Sequence, residues 1–189
     1  MAGSWAWCSP ATPRLLGSYE EERLPIASWL LDITSTTLNA VLDAIKEKGG
    51  GVDAAAAAEL TQLMLRYPWS RLSRQATIRP TGPRAGDRAP DAPLRDAATG
   101  TPIRLFDLFR GPHFTLLGLG ERCTPVFGDV HNGIVKPYLV GQGGLLDDDG
   151  HVAQAYGNDA LILVRPDGYI GLVARPAETG SVAEYLRSL

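Results

Sequence analysis

The order of structural signals over residues 85–189 constrains this chain more than any other feature. An extended stretch at residues 89–94, held open by its prolines, leads to a turn at Ala98-Thr99-Gly100-Thr101, and residues 102–105 pair back across it. Residues 106–109 fit a short helical turn. Phe114–Leu119 (FTLLGL) is an apolar run with the length of a buried strand. Residues 126–142 are ambiguous and are expected to be loop with some strand. Residues 149–156 fit a short helix closed by Gly157. Two strands, Ala160–Val164 and residues 169–174, flank Arg165-Pro166-Asp167-Gly168, a type I turn with proline in second place. Ser181-Val182-Ala183-Glu184 is a capping box that opens a last helix. This succession specifies an α+β chain.

The first half is helical in pattern. Tyr19-Glu20-Glu21-Glu22-Arg23 is followed by Ile26, Leu30, Ile33, Leu38, Val41, Leu42 and Ile45, whose spacings of three and four place most of them on one helix face. Ser18 is the expected N-cap, and the glutamates after it suit the positive end of the helix dipole. Pro25 is expected to kink the helix or mark its first full turn. Lys46 to Lys48 before Gly49-Gly50-Gly51 is a stop signal. Asp53 would cap a second helix, ended by Pro68, and the two helices would pair antiparallel across the glycine loop. Residues 1–70 therefore form an expected helical hairpin. Residues 71–88, with Pro80, Gly82, Pro83 and Gly86, are an expected linker, and residues 89–189 a second domain.

Charge and cysteine usage exclude several function classes. The net charge is −3 and the basic residues look scattered, which leaves no footprint for nucleic acid. Cys8 and Cys123 are too few for a disulfide framework, lack metal-ligand spacing and suit a reducing cytoplasm. No apolar run approaches the ~20 residues of a membrane span, and residues 1–10 lack the parts of a signal peptide.

Gly86-Asp87-Arg88-Ala89-Pro90-Asp91, then Leu94, Gly100, Ile103 and Leu105-Phe106-Asp107-Leu108, resembles the entry into thioredoxin- and peroxiredoxin-like domains. Tyr19-Glu20-Glu21-Glu22-Arg23-Leu24-Pro25-Ile26-Ala27 is similar to a helix late in the FAD domain of FAD-dependent aromatic-ring and aromatic-polyketide hydroxylases, the class A flavoprotein monooxygenases. In that family a proline-rich stretch and a C-terminal thioredoxin-like domain follow. Pro83 to Asp91 and Leu163-Val164-Arg165-Pro166-Asp167-Gly168-Tyr169 look like the borders of that domain. The resemblance implies an N-terminal helical hairpin followed by a thioredoxin-like domain. It implies flavin that activates oxygen and NAD(P)H that supplies electrons, for a full-length hydroxylase only.

The chain departs from such hydroxylases in two places. It contains no Gly-x-Gly-x-x-Gly to hold the FAD pyrophosphate on a helix N-terminus. The second flavin motif would precede the Tyr19–Ala27 helix. Gly128-Asp129-Val130-His131 and Gly141-Gln142-Gly143 echo it in the wrong half and are read as a chance match. The expectation is a C-terminal structural and interaction module that binds no cofactor itself. A truncated frame, an excised domain and a stand-alone descendant all fit. Such a module would meet a flavin-domain partner or self-associate through exposed helix surface, with Trp29 and Leu30 as a docking face.

Two catalytic alternatives stand beside that expectation. Cys123-Thr124-Pro125-Val126 follows the first apolar strand, where a thioredoxin carries Cys-x-x-Cys; with Val126 in the second place, Cys123 would act as a monothiol. A cofactor-independent enzyme of aromatic polyketide biosynthesis would instead use Asp129, His131 and Tyr138 as acid–base groups on an aromatic small molecule. No metal site is expected: His113, His131 and His151 lack paired support, and Asp147-Asp148-Asp149-Gly150 suits a solvated turn and helix cap.

Overall fold

The structure is a computed structural model. It describes residues 12–48, 65–77, 81–120, 122–123, 133–141, 143–176, 178 and 180–189. The chain divides into two compact units, Met1–Leu65 and Arg66–Leu189.

In the first unit, α1 runs over Thr12–Lys48, a helix of 37 residues. It begins a turn and a half before the expected cap, so Ser18 lies inside it. Thr12-Pro13 is the start signal that accounts for this: proline in the first turn gives up an N–H that has no intrahelical partner anyway. Pro25 lies within α1 and neither starts nor ends it. It removes one helical hydrogen bond, at a typical cost of about 3 kcal/mol. Thr34 and Thr36 turn their hydroxyls back onto the carbonyls of Leu30 and Asp32, at 2.7 and 2.8 Å. The helix ends at Lys48, just before the glycines. The second helix of the expected hairpin falls mostly on residues 53–64, outside the described residues.

The second unit is built on one sheet. Its strands are β1 (Arg74–Gln75), β2 (Pro93–Asp96), β3 (Pro102–Arg104), β4 (Phe114–Leu119), β5 (Val135–Val140), β6 (Leu145–Leu146), β7 (Ala160–Val164) and β8 (Ile170–Ala174). Among the described residues their spatial order is β1-β8-β7-β4-β5-β6-β2-β3. β4 pairs parallel with β5 and antiparallel with β7, and β7 pairs antiparallel with β8. With the closing helix α4 (Gly180–Ser188), this is the thioredoxin-like arrangement. Helices α2 (Leu105–Phe109) and α3 (His151–Tyr156) complete the unit.

Alternation along the central strands fills two cores. Leu117, Leu119, Ile162 and Val164 face one way and pack with Leu105, Leu108, Val152 and Tyr156. Leu116, Leu161, Leu163 and Leu172 face the other way and pack with Val182 and Tyr185 of α4. Burial on both faces explains why β4, β7 and β8 are continuous apolar runs.

The expected linker needs correction. Arg74–Gln75 forms β1, parallel to β8, and the Ala76 N–H donates to the Val173 carbonyl at 2.9 Å. Gly86 and Asp87 exchange further bonds with the same strand: the Gly86 N–H donates to the Ile170 carbonyl, and the Ile170 N–H donates to the Asp87 carbonyl. The β8 edge would otherwise leave a row of open backbone groups. Gly86 has φ +90°, and a Cβ there would lie 2.5 Å from the Tyr67 carbonyl carbon, so only glycine fits.

The ambiguous stretch also resolves in part. Val135–Val140 is a full partner of β4, and Leu145–Leu146 continues the sheet. The last helix starts at Gly180, and Glu184 does not close a capping box: it pairs with Arg74 of β1 at 2.8 Å. No helix among the described residues is long and apolar enough to cross a membrane.

Candidate functional site

Cys123 sits where β4 leaves the sheet, one turn past Gly120. Its Sγ lies 3.4 Å from the Leu119 carbonyl and 3.5 Å from the Ala160 carbonyl, so the thiol is clamped between the ends of β4 and β7. The side chain is fully buried. Burial, then the negative charge of Asp159, pushes the thiol up to about 11. A reactive cysteine needs an exposed, electropositive setting, and this one has the reverse. The expectation of a thiolate at Cys123 is therefore corrected: the residue is a small apolar member of the second core.

The neighbouring backbone narrows the same end of the sheet. Gly120 has φ +92°, and a Cβ built there would lie 2.5 Å from the Asn158 carbonyl oxygen. The strand exit is thus closed down against the segment before β7.

Tyr138 lies on β5, opposite Leu117 of β4, half-buried against the first core. Asp129 and His131 lie outside the described residues, so the expected Asp129–His131–Tyr138 cluster has only Tyr138 placed. Val126 lies outside them too.

His113 and His151 have structural settings. His113 is buried, with Nε2 3.0 Å from the Leu108 carbonyl at the end of α2. His151 opens α3, exposed, 4.0 Å from Asp149. Asp147 caps α3: its carboxylate accepts from the N–H groups of Val152 and Ala153, at 3.1 and 2.8 Å. Asp148 accepts two bonds from the Arg95 guanidinium. The acidic run is the turn and cap that its sequence suggested. Among the described residues no group of three or more His, Cys, Asp or Glu is placed to hold a metal ion.

Several of the motif residues that carry the resemblance have packing work. Asp91 accepts from the Arg104 guanidinium at 2.7 Å and from the Phe106 N–H at 3.0 Å, which ties the extended entry to the start of α2. The Pro90 carbonyl accepts the hydroxyl of Tyr156, a buried side chain whose phenol is raised by desolvation and then by the charge of Asp91. Ala89, Leu94, Leu105 and Leu108 line the first core. In the Arg165–Gly168 turn, the Arg165 guanidinium pairs with Asp167, and the Arg165 N–H donates to the Tyr169 carbonyl at 2.8 Å. Tyr156 and Tyr169 are both buried. The role of Asp91 was legible only as a family motif, because its partners lie 13 and 15 residues away.

Flavin is the group that the resemblance implies. Among the described residues no strand passes through a glycine-rich turn into a long helix, so none of these elements offers the cradle a pyrophosphate needs.

Comparison with known proteins agrees with this architecture. Residues 82–189 match the family described as aromatic-ring hydroxylase, C-terminal. A flavin-dependent monooxygenase of Mycobacteroides abscessus is 36% identical over 176 residues, covering 93% of this chain and 31% of that protein. Pentachlorophenol 4-monooxygenase of Sphingobium chlorophenolicum is 31% identical over 194 residues, covering 85% and 34%. Among solved structures, aklavinone-11 hydroxylase in complex with FAD and aklavinone superposes with a TM-score of 0.66 at 26% identity, covering 92% of this chain and 34% of that one. The flavin-dependent monooxygenase PieE shares the fold, with a TM-score of 0.67 at 22% identity, over 93% of this chain and 40% of that one. The chain spans about a third of the length of the curated relatives it matches. It belongs to the aromatic-ring hydroxylase C-terminal family.

Proposed function

We propose that this chain serves as the C-terminal structural and interaction module of an FAD-dependent aromatic hydroxylase acting on polyketide-like aromatics, and that it holds no flavin itself. The observation that carries this is the family match over residues 82–189, together with relatives about three times as long. Several of the family's motif residues support it, since Asp91 bridges, the Pro90 carbonyl accepts the Tyr156 hydroxyl, and Ala89, Leu94, Leu105 and Leu108 pack. A flavin-binding polypeptide would supply the oxygen chemistry. This chain would meet it through α1, where Trp29 and Leu30 are each 40% exposed. The cytoplasm is the compartment proposed, since it supplies NAD(P)H.

The test is the visible spectrum of the purified chain after excess FAD and desalting. No retained flavin is the expected result; stoichiometric flavin would overturn the proposal. Mixing the chain with the flavin-binding portion of a relative should give a complex that co-elutes. The α1 variant Trp29→Ser/Leu30→Ser should lose that complex while retaining the fold.

A further inference from the structure

The basic residues are less scattered than they first look. Six of the 18 fall within residues 66–88, namely Arg66, Arg71, Arg74, Arg79, Arg84 and Arg88, against one acid, Asp87. This stretch carries a net charge of +5. Residues 1–65 hold four basic and eight acidic side chains, and residues 89–189 hold eight and twelve, a net of −4 each.

The fold gathers part of this charge at one place. The Tyr67 N–H donates to the Gly86 carbonyl at 2.8 Å, and the Ala85 N–H donates to Gln75 Oε1 at 2.9 Å. These bonds lay residues 67–75 beside residues 85–88 along the β8 edge. Arg66, Arg84 and Arg88 thereby converge from opposite ends of the stretch, and all three are exposed. Among the described residues none of the three has an acidic side-chain partner, whereas Arg74 is paired with Glu184. Asp87, the one acid in residues 66–88, accepts the backbone N–H of Arg84 at 2.9 Å. Trp69 stands beside them, 46% exposed, edge-on to Tyr67 at 6.1 Å. Tryptophan and arginine are the side chains most enriched where protein interfaces concentrate their binding energy.

We propose that this arginine edge docks a second copy of the chain, whose acidic remainder supplies the complementary charge. The edge cannot meet itself, because like charges would face one another, so the contact is head-to-tail and not a two-fold pairing of one patch. A protein surface fits better than a nucleic acid. A polyanion would also meet a chain whose net charge is −3. The inference does not depend on the flavin reading, since association is measured without flavin.

Sedimentation of the full chain at low and high salt tests the proposal. Self-association is expected at about 0.01 M salt and should weaken at least about tenfold by about 1 M, where the screening length falls from about 30 to about 3 Å. The variant Arg66→Glu/Arg84→Glu/Arg88→Glu should lose association at low salt while its circular dichroism stays that of the parent. The neutral variant Arg66→Gln/Arg84→Gln/Arg88→Gln should fall between the two. Leu31→Ser on α1 should associate like the parent. A monomeric mass at every salt concentration would overturn the proposal. So would association that persists through both high salt and charge reversal, which would assign the contact to apolar surface. A monomer that binds a labelled single-stranded oligonucleotide would reassign the edge to nucleic acid.

Discussion

Leu163 and Leu31 are the same side chain in equally apolar surroundings of sequence, yet Leu163 is completely buried and Leu31 is 68% exposed. The contrast extends to the two units that hold them. On β7 every residue is buried, because sheet neighbours flank it and helices cover both faces. On α1, Leu16, Tyr19, Leu24, Leu31, Leu38 and Leu42 are all exposed. Apolar periodicity identifies an element in both cases. It says nothing of whether the chain itself supplies a cover. A thioredoxin-like unit closes its own core, whereas α1 presents apolar surface to whatever lies outside it.

The sharpest way to break this comparison is to truncate each leucine. Leu163→Ala should destabilise the sheet unit by about 2–5 kcal/mol, read by urea unfolding, because the cavity lies between packed layers. A cost under about 1 kcal/mol would mean that the second core is loosely packed. Gly120→Ala should come next, at about 1–3 kcal/mol. It forces a side chain into a positive-φ position and against the Asn158 carbonyl. Unchanged thermal unfolding would show that the exit of β4 relaxes freely.

Asp91→Ala should cost about 1–3 kcal/mol by removing two bonds that hold the entry to α2. An effect near zero would make Asp91 a surface residue. Cys123 gives a smaller, pH-dependent effect. Its folded value is about 11 against an ordinary 9.0, so the unfolded thiol ionises first. Its contribution is fully present below about pH 9 and is lost as the pH climbs toward 11. In a Cys8→Ser background, iodoacetamide at neutral pH should modify Cys123 only as fast as the protein opens. Rapid native-state labelling would restore the monothiol reading. Smallest of all, Leu31→Ala should shift unfolding by no more than about 0.5 kcal/mol. A larger loss would mean that α1 has a partner within the chain.

Much of the second unit was legible residue by residue. The runs at Phe114–Leu119 and Ala160–Val164 are uninterrupted and apolar, and they form strands over those same bounds. The Arg165–Gly168 turn and the Asp147 cap act through neighbours within six residues, which a sequence displays. Other parts were hidden. β1 and β6 have two residues each, too few for any periodicity. Ser18 has the residue type of a cap, but the Thr12-Pro13 signal starts the helix earlier. Glu184 looked like half of a capping box, but an arginine 110 residues away takes it. Cys123 looked like a candidate thiol because position after a strand was all the sequence showed. Its burial depends on the start of β7, 37 residues away.

The sequence by itself determined the order of the longer elements on either side of residues 126–142, the α+β class and the absence of a redox dithiol, because propensity, turn chemistry and apolar runs are local properties. Tertiary structure alone decided that Arg74–Gln75 and residues 86–88 bond to the β8 edge, that Cys123 is core, and that Arg66, Arg84 and Arg88 share one edge. Each of those outcomes rests on backbone bonds or packing between residues far apart in the chain. Such contacts exist only once the β8 edge and the two cores have formed.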